Sequence, residues 1–418
     1  MSLSHLDRRT LLAASGLAGF ALLSDRANGA VKLWSSPALA QAGDGRVLIL
    51  LQLSGGNDGL DTVVPFADDA YRRARPTLGL KKGETLPLDD YRGFHGSLKA
   101  LRRHYDAGRV ALVEGVGYPD PIRSHFKSYD VWHAADIRGR SAGDGWVGRL
   151  CDVAFKDVRN PNLVVHVGAN VPYSLHSTTH PAASFVNPRA YRWAGGEAET
   201  EAYEKAGGMG DEADARAKPK KREGESSLDF LRRVLADGQS SSEQVRRAVA
   251  AYRTPIEYPQ NDALAQSLAD VAALVSGGIG ARVISVEAGG YDTHTDERNR
   301  HDQLMRTLDA ALGPFLDDLG RSEAGRKAVV LVFSEFGRRV AENGARGTDH
   351  GVAGPMFALG HGIKGGLYGK HPSLEKLDDG DLIHTTDFRS VYATAIERCF
   401  AVKHERVLGA KYPLVPYA

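Results

Sequence analysis

Predominantly apolar runs alternate with segments of helical spacing along most of the chain. The apolar runs have the character of strands buried on both faces of a parallel sheet, and they cover residues 46–53, 109–114, 162–167, 281–287, 328–333 and 355–359. Apolar residues recur at helical intervals in residues 98–105, 125–132, 226–252, 262–276, 299–319 and 387–400. This alternation predicts an α/β fold with a doubly wound, mostly parallel sheet and helices on both faces.

Two segments depart from the pattern. Residues 168–195 are predicted to form loops, and residues 195–225, rich in glycine and charge, are predicted to form a mobile polar insertion. Neither an internal repeat nor a second core is visible in the sequence. We therefore predict one α/β domain over residues 43–418.

The first 42 residues have the features of an export signal. Residues 7–12 read Asp-Arg-Arg-Thr-Leu-Leu, a twin-arginine type motif, and a Gly/Ala-rich apolar stretch and small-residue cleavage sites follow. The apolar stretch is shorter than the roughly 20 residues that span a bilayer. We predict export by the twin-arginine translocation machinery to the periplasm or medium, with no stable membrane span after cleavage. This route carries folded proteins, often with a metal or cofactor inserted, so it favours a metal site.

Composition excludes some classes of protein. The 418 residues carry 53 Lys and Arg against 52 Asp and Glu, and 42% are hydrophobic, as expected of a globular protein with a large core. This balance of charge argues against a nucleic-acid partner. The chain has only 2 cysteines, so a thiolate metal cluster and a small disulfide scaffold are both excluded.

Polar side chains that could carry chemistry follow four of the predicted strands. In open α/β sheets ligands bind beyond the carboxyl ends of strands, and crowded carboxylates and imidazoles there need a compensating cation or substrate. The candidates are Asn57 and Asp58 after the first strand, Arg123, Ser124 and His125 after the second, Asp292 and His294 after 281–287, and Glu335, Arg338 and His350 after 328–333.

These residue types indicate a divalent metal. Imidazole combined with carboxylate oxygen suits zinc, manganese or iron, of which we expect zinc, whereas calcium prefers oxygen alone. Asp292 and His294 are two positions apart, so both side chains point to one side of an extended segment. His350 is preferred over the adjacent Asp349, because adjacent side chains diverge. His301 is equally compatible with a ligand and with a solvent-facing position on a helix.

Five sequence blocks carry a resemblance to a known family. They are LSGGNDGLDTVVP, RSHF, GGYDTHTD, FSEFGRR and GTDHGVAGPMFALG. Together they resemble the DUF1501 family of exported bacterial proteins, which is related to the alkaline phosphatase and sulfatase superfamily. The resemblance covers nearly all of residues 43–418 and implies an alkaline-phosphatase-like fold, with metals near the carboxyl edge of the sheet and a Ser or Thr nucleophile at a helix N-terminus.

Carried over position by position, the resemblance implies a metal-ligand set and a nucleophile. Asp58 resembles the early metal-binding Asp and Ser124 the nucleophile. Asp292 and His294 resemble the Asp and His of the first metal, although the superfamily usually spaces them Asp-x-x-x-His. Glu335 stands in place of the Asp of an Asp-His-Gly motif, and His350 resembles the last His ligand. Phe336 stands where a metal-binding His is expected, so a single metal is also compatible with the sequence.

The expected activity is hydrolysis of a small anionic phosphate or sulfate ester by Ser124, with His125 as a candidate proton donor. Arg123, Asn57 and Arg338 are candidate anion-binding residues, because a guanidinium fork matches the oxygens of such a group. Ser124 is equally typical of a helix N-cap, His125 could instead cap or pack, and Arg338 could mark a solvated helix start.

Two other classes of function remain open at this point. One is a non-catalytic exported metal-binding or assembly protein on the same fold, which the Glu335-Phe336 sequence favours. The other is a metal-free serine hydrolase using Ser124, and the sequence weakens this reading because it has no Gly-x-Ser-x-Gly elbow.

Overall fold

The computed structural model describes residues 45–138, 143–192 and 226–418. The predicted export signal and the predicted insertion at 195–225 lie outside these ranges. The strands within them are β1 Leu48–Leu53, β2 Val63–Val64, β3 Thr85–Pro87, β4 Gly93–His95, β5 Val110–Gly117, β6 Val164–Val167, β7 Ala183–Phe185, β8 Val283–Ala288, β9 Val329–Phe333, β10 Arg338–Glu342, β11 Thr348–His350, β12 Gly354–Leu359, β13 Gly366–Tyr368, β14 Leu377–Asp378, β15 Asp381–Leu382 and β16 Thr386–Asp387.

The helices connect and cover these strands. They are α1 Gly59–Thr62, α2 Asp69–Ala74, α3 Lys99–Asp106, α4 His125–Ala134, α5 Trp146–Ala154, α6 Ser227–Ala251, α7 Ala263–Ser276, α8 Glu297–Leu319, α9 Glu323–Arg326, α10 Phe388–Phe400 and α11 Glu405–Leu408, with short 3-10 turns at Lys82–Glu84 and Tyr173–Leu175. Each predicted helix within the described ranges is present, and its ends are within a few residues of the prediction.

A central sheet, nine-stranded in the described residues, organises the fold. Its order is β13-β5-β12-β9-β1-β8-β6-β7, with β16 also paired to β5. β1 is central and pairs in parallel with β8 and β9. β12 runs antiparallel to both of its neighbours. The prediction of a mostly parallel α/β sheet is therefore confirmed.

The two faces of β1 contribute to different hydrophobic cores. Ile49 and Leu51 pack in one core with residues of α3, α7 and α8, whereas Leu48 and Leu50 pack in the other with residues of α4, α5 and α10. All six β1 residues are buried. This is the reason for its unbroken apolar sequence, and it is the doubly wound arrangement that the alternation of strands and helices predicts.

One prediction about local structure was wrong. Residues 168–195 were expected to form loops, yet β7 lies within them and pairs in parallel with β6 at one edge of the sheet. β7 has only three residues, too few for the pattern of apolar positions to identify it.

The parallel strands β1, β5, β8 and β9 end at one edge of the sheet, so the segments that follow them lie close together. This edge holds the candidate site described below. Across the described parts of the chain, we find no helix that combines the length and the apolar character needed to cross a membrane.

Candidate metal centre

Three side chains from two separate segments converge beyond the ends of β8 and β9. His294 Nε2 lies 2.9 Å from His350 Nε2. Asp292 Oδ1 lies 3.0 Å from His294 Nε2 and 3.2 Å from His350 Nε2. Asp292 and His294 follow β8, as the sequence predicts, and β11 supplies His350 after pairing with β10.

His125 completes the group from the start of α4. Its Nε2 lies 3.6 Å from Asp292 Oδ2, and its ring centroid lies 4.4 Å from that of His350. His125, Asp292 and His350 offer ligand atoms that all lie within 4.8 Å of one another. We name the four residues Asp292, His294, His350 and His125 the metal centre, after the metal that they could hold.

Each of the three imidazoles is held from behind through its Nδ1 atom. His125 Nδ1 lies 2.7 Å from Glu335 Oε1, and His294 Nδ1 lies 3.3 Å from Asp349 Oδ1. His350 Nδ1 donates to the carbonyl oxygen of Arg123 at 2.9 Å. A carboxylate or carbonyl behind Nδ1 keeps the proton there and leaves the Nε2 lone pair free. The Nε2 atoms of all three rings therefore face Asp292.

This donor set fits a divalent metal. The Nε2 atoms of His294 and His350 lie 2.9 Å apart, so at most one of them carries a proton, and a cation beside both could accept the lone pairs of both. Nitrogen and carboxylate oxygen are ligands that zinc, iron and manganese accept. The Asp292 side chain is 47% exposed and that of His294 is 40% exposed, so the centre is open to solvent on one side.

A buried guanidinium sets the charge of Asp292. Burial opposes ionisation of this carboxyl, but the hydrogen bond and the positive charge of Arg338 lower its pKa to about 2. Arg338 donates to Asp292 Oδ1 at 2.6 Å, and its side chain is fully buried. Asp292 is therefore an anion at neutral pH, as a metal ligand must be.

Arg338 also ties together the backbone around the metal centre. It donates to carbonyl oxygens of Gly55, Gly56, Tyr291 and Thr348. The N–H groups of Arg338 are thus bonded to other groups of the protein. This arrangement differs from the predicted roles of Arg338, in anion binding or at a solvated helix start. Its observed role is to fix three loops of the site to one another.

The paired glycines after β1 make this close packing possible. A Cβ on Gly55 would lie 2.4 Å from the backbone nitrogen of Asp292, and a Cβ on Gly56 would lie 2.3 Å from the ring of Phe336. Both glycines have positive φ, +124° and +74°, which side chains disfavour. The turn brings the backbone against the Asp292 loop.

Glu335 lies behind the metal centre. Its side chain is fully buried, and besides His125 it accepts from the Gly55 N–H at 2.9 Å and the Ser334 hydroxyl at 3.1 Å. The sequence predicts Glu335 as a metal ligand. The structure places its carboxylate behind His125, where it orients the imidazole of that residue. His125, predicted as a candidate proton donor, lies among the side chains that could hold a metal.

Ser124 precedes His125 as the N-cap residue of α4, but its side chain makes no capping hydrogen bond. The Ser124 hydroxyl therefore does not cap the helix, which is the structural role that the sequence also allows. The neighbouring Arg123 forms ion pairs with Asp379 and Asp381. Its guanidinium is thus partly neutralised, and its carbonyl contact with His350 is the direct link to the metal centre.

Asn57 and Asp58 are buried beneath the surface of the site. Asn57 is 4% exposed and donates from its side-chain amide to Thr62 Oγ1 at 2.9 Å. Asp58 Oδ1 accepts the backbone N–H groups of Leu60 and Asp61, and Oδ2 lies 2.6 Å from Arg75. Asp58 therefore caps α1 inside a buried ion pair, away from the metal centre where the sequence reasoning expected it.

Sequence reasoning missed the buried charge network around Asp58. Arg75 has a fully buried side chain and contacts both Asp58 and Asp61. Glu297 at the start of α8 is fully buried too. His301 is 2% exposed, with Nε2 3.4 Å from Thr62 Oγ1, so it is neither solvent-facing nor in the centre. The two acids at positions 58 and 61, on a short turn whose residues are all buried, are the local indication of this network.

The chain belongs to the DUF1501 family, described as a protein of unknown function, whose model matches residues 113–408. The prediction of this family is confirmed. No curated protein matches the chain significantly.

Solved structures with similarity to the chain include a protein of the alkaline phosphatase superfamily, a sulfatase and an alkaline phosphatase. A protein of that superfamily from Vibrio parahaemolyticus is 9% identical, with TM-score 0.38, over 88% of this chain and 70% of that chain. The PsFucS1 sulfatase from Pseudoalteromonas sp. is 10% identical, with TM-score 0.41, over 86% and 68%. An alkaline phosphatase from the Antarctic bacterium TAB5 is 12% identical, with TM-score 0.35, over 75% and 91%.

Proposed function

We propose that this protein is a divalent-metal-dependent hydrolase of phosphate or sulfate esters, with one metal held by the metal centre. The observation that carries the proposal is the convergence of three imidazole Nε2 atoms on the Asp292 carboxylate oxygens, at distances of 3.0, 3.2 and 3.6 Å. Zinc is the expected metal, and manganese or iron is compatible with the same ligands.

The nucleophile in this proposal is the Ser124 hydroxyl. Ser124 stands between two residues that contact the metal centre, since Arg123 bonds His350 and His125 belongs to the centre. The ten-residue helix α4 begins directly after it, and a helix N-terminus favours an anion. A substrate's phosphate or sulfate group placed there would lie beside the Ser124 hydroxyl.

The reaction would proceed by two displacements. Ser124 Oγ forms a bond to phosphorus or sulfur while the bond to the leaving oxygen breaks, and the Ser124 proton passes through solvent to that oxygen, which leaves as the alcohol. Water then forms a bond to phosphorus or sulfur, the bond to Ser124 Oγ breaks, and a proton from the water restores the Ser124 hydroxyl. A divalent metal, when bound, supplies positive charge that offsets the charge of the ester and lowers the pKa of a nearby hydroxyl.

The test combines elemental analysis with turnover. We expect near-stoichiometric zinc, manganese or iron in the purified protein, and hydrolysis of 4-nitrophenyl phosphate or 4-nitrophenyl sulfate. Asp292→Ala should lose both metal and activity. A folded protein that binds no metal after supplementation would overturn the proposal. Metal without turnover of any ester would instead support a non-catalytic metal-binding or assembly protein on the same fold.

We also propose that the protein is exported by the twin-arginine route, on the basis of residues 7–12. Changing both arginines, Arg8→Lys and Arg9→Lys, should keep the protein in the cytoplasm, as cell fractionation would show. Export of this double variant at the normal rate would contradict the proposal.

A further inference from the structure

A second cleft lies between the β3–β4 hairpin and the first turns of α8. Its cavity volume is about 520 Å³, within the range of about 300–1,000 Å³ that small-molecule sites occupy. The residues of the metal centre do not line it. Its polar lining includes Glu84, His95, Ser97, Lys99, Arg298 and Asp302.

His95 presents a buried N–H group to this cleft. Its side chain is 5% exposed, and its Nδ1 accepts the backbone N–H of Ser97 at 3.2 Å. The ring proton therefore resides on Nε2. Burial, assisted by His301, lowers the pKa of His95 to about 4, so the ring is neutral near pH 7.

The Nε2 donor of His95 has a carboxylate near it but beyond bonding distance. Asp302 Oδ1 lies 3.8 Å away, which is too long for a hydrogen bond. The same oxygen accepts from the Ser97 hydroxyl at 2.8 Å and retains a second lone pair. A donor and an acceptor thus stand 3.8 Å apart on two residues that line the cleft.

Only some chemical groups can form hydrogen bonds with His95 Nε2 and Asp302 Oδ1 at the same time. An anion without a proton, such as sulfate or chloride, can accept from His95 but cannot donate to Asp302. A metal cation can bind Asp302 but cannot accept from an N–H. A hydroxyl oxygen accepts from Nε2 and donates to Oδ1, so it satisfies both.

The charges of the lining also favour an uncharged ligand. Arg298 pairs with Glu84 at 2.5 Å, and Asp302 pairs with Arg306. Lys99 is exposed at the rim. Because most of the charged groups are matched within the protein, the cleft has little net charge with which to select a strongly charged ligand.

We propose that this cleft binds a neutral polyhydroxylated ligand, a saccharide or a saccharide unit of a longer chain, through a hydroxyl bridging His95 and Asp302. The site is separate from the metal centre and needs neither metal nor turnover. Its failure and the failure of the proposed hydrolase function are therefore distinguishable.

Calorimetric titration of the full-length protein with a panel of saccharides tests this proposal. The panel contains glucose, galactose, mannose, maltose, cellobiose and lactose, so that single units and short chains are compared. Sodium sulfate and sodium chloride serve as anion probes. We expect at least one saccharide to bind, and we expect Asp302→Ala to weaken that binding by about tenfold or more.

Asp317→Ala is the matched control, since Asp317 is also on α8 and also pairs with an arginine, Arg103. It should bind the saccharide like the unaltered protein. In a second measurement, the Nε2 resonance of His95 in the unaltered protein should shift when the saccharide is added, whatever the stability of the variants. Absence of saccharide binding, an unmoved His95 resonance, or binding of the anions alone would overturn the proposal.

Discussion

Nδ1 of His125 lies 2.7 Å from Oε1 of Glu335, a fully buried carboxylate. The two residues are 210 positions apart in sequence. The contact fixes which nitrogen of His125 carries the proton, and it aims the other nitrogen at Asp292. A carboxylate behind a ligating imidazole is a common device in metal sites, because it orients the ring and raises its basicity.

Glu335→Gln should therefore weaken metal binding without unfolding the protein. An amide keeps the shape but removes the charge, and loss of such a partner typically costs about 10- to 100-fold in metal affinity. Chelator competition with zinc measures this change, and circular dichroism checks the fold.

A matched control exists at a second carboxylate and imidazole pair. His404 Nδ1 lies 2.7 Å from Glu397 Oε1, the same separation, and these two residues with Glu405 form another group of potential ligands. Glu397→Gln should leave zinc affinity unchanged. If Glu397→Gln abolished binding while Glu335→Gln did not, the metal would belong to that second group.

Ser124→Ala should abolish turnover and retain the metal. The Ser124 hydroxyl makes no capping hydrogen bond, so its removal should change the melting temperature little, whereas loss of a nucleophile should reduce kcat by about 10³-fold or more. Steady-state kinetics and elemental analysis on the same preparation measure both. Full activity in Ser124→Ala would show that water attacks the ester directly.

How much of this structure the sequence predicts depends on how far apart in sequence the interacting residues are. β1 is identifiable because both of its faces are buried, so its apolar composition alone indicates a strand inside the sheet. The convergence of Asp292, His294 and His350 follows from strand ends meeting at one edge. These features are encoded locally, near each residue.

Some residues have a different role in the structure from the predicted one, because they contact partners that are distant in sequence. Asp58 has the local sequence of a strand-end ligand, but its carboxylate pairs with Arg75. No feature of the sequence near Asp58 predicts this ion pair. Glu335 likewise pairs with His125 across 210 positions. Asp349, set aside in favour of its neighbour His350, lies behind His294. Sequence spacing places a residue at the edge, but it does not say which residues contact the metal and which support them.

Gly55→Ala should disrupt the metal centre through the backbone. The added Cβ would lie 2.4 Å from the Asp292 nitrogen, at a φ of +124°, and such backbone strain alone costs about 1–3 kcal/mol. We expect a lower melting temperature and weaker zinc binding. Gly83→Ala is the control, because a Cβ there would have nothing within 4 Å. Equal behaviour of the two variants would show that the turn after β1 does not constrain the centre.

The buried Glu297 should make stability depend on pH. Burial, together with repulsion from Asp58, raises the pKa of Glu297 from its usual 4.5 to about 9. Its two carboxyl oxygens contact the hydroxyls of Thr293 and Thr348 at 2.9 and 2.7 Å. The folded protein therefore holds this carboxyl neutral at a pH where the unfolded chain ionises it.

The sign of the effect follows from the raised pKa. The stabilising contribution is fully present below pH 4.5 and is lost progressively as the pH rises towards about 9. Glu297→Gln keeps a neutral group of the same shape, so its stability relative to the unaltered protein should increase over this window. Urea unfolding at several pH values between these limits measures the difference. Glu375→Gln, at a carboxyl whose side chain is 77% exposed, should show no such trend, and a flat difference for Glu297→Gln would mean that Glu297 is ionised in the fold.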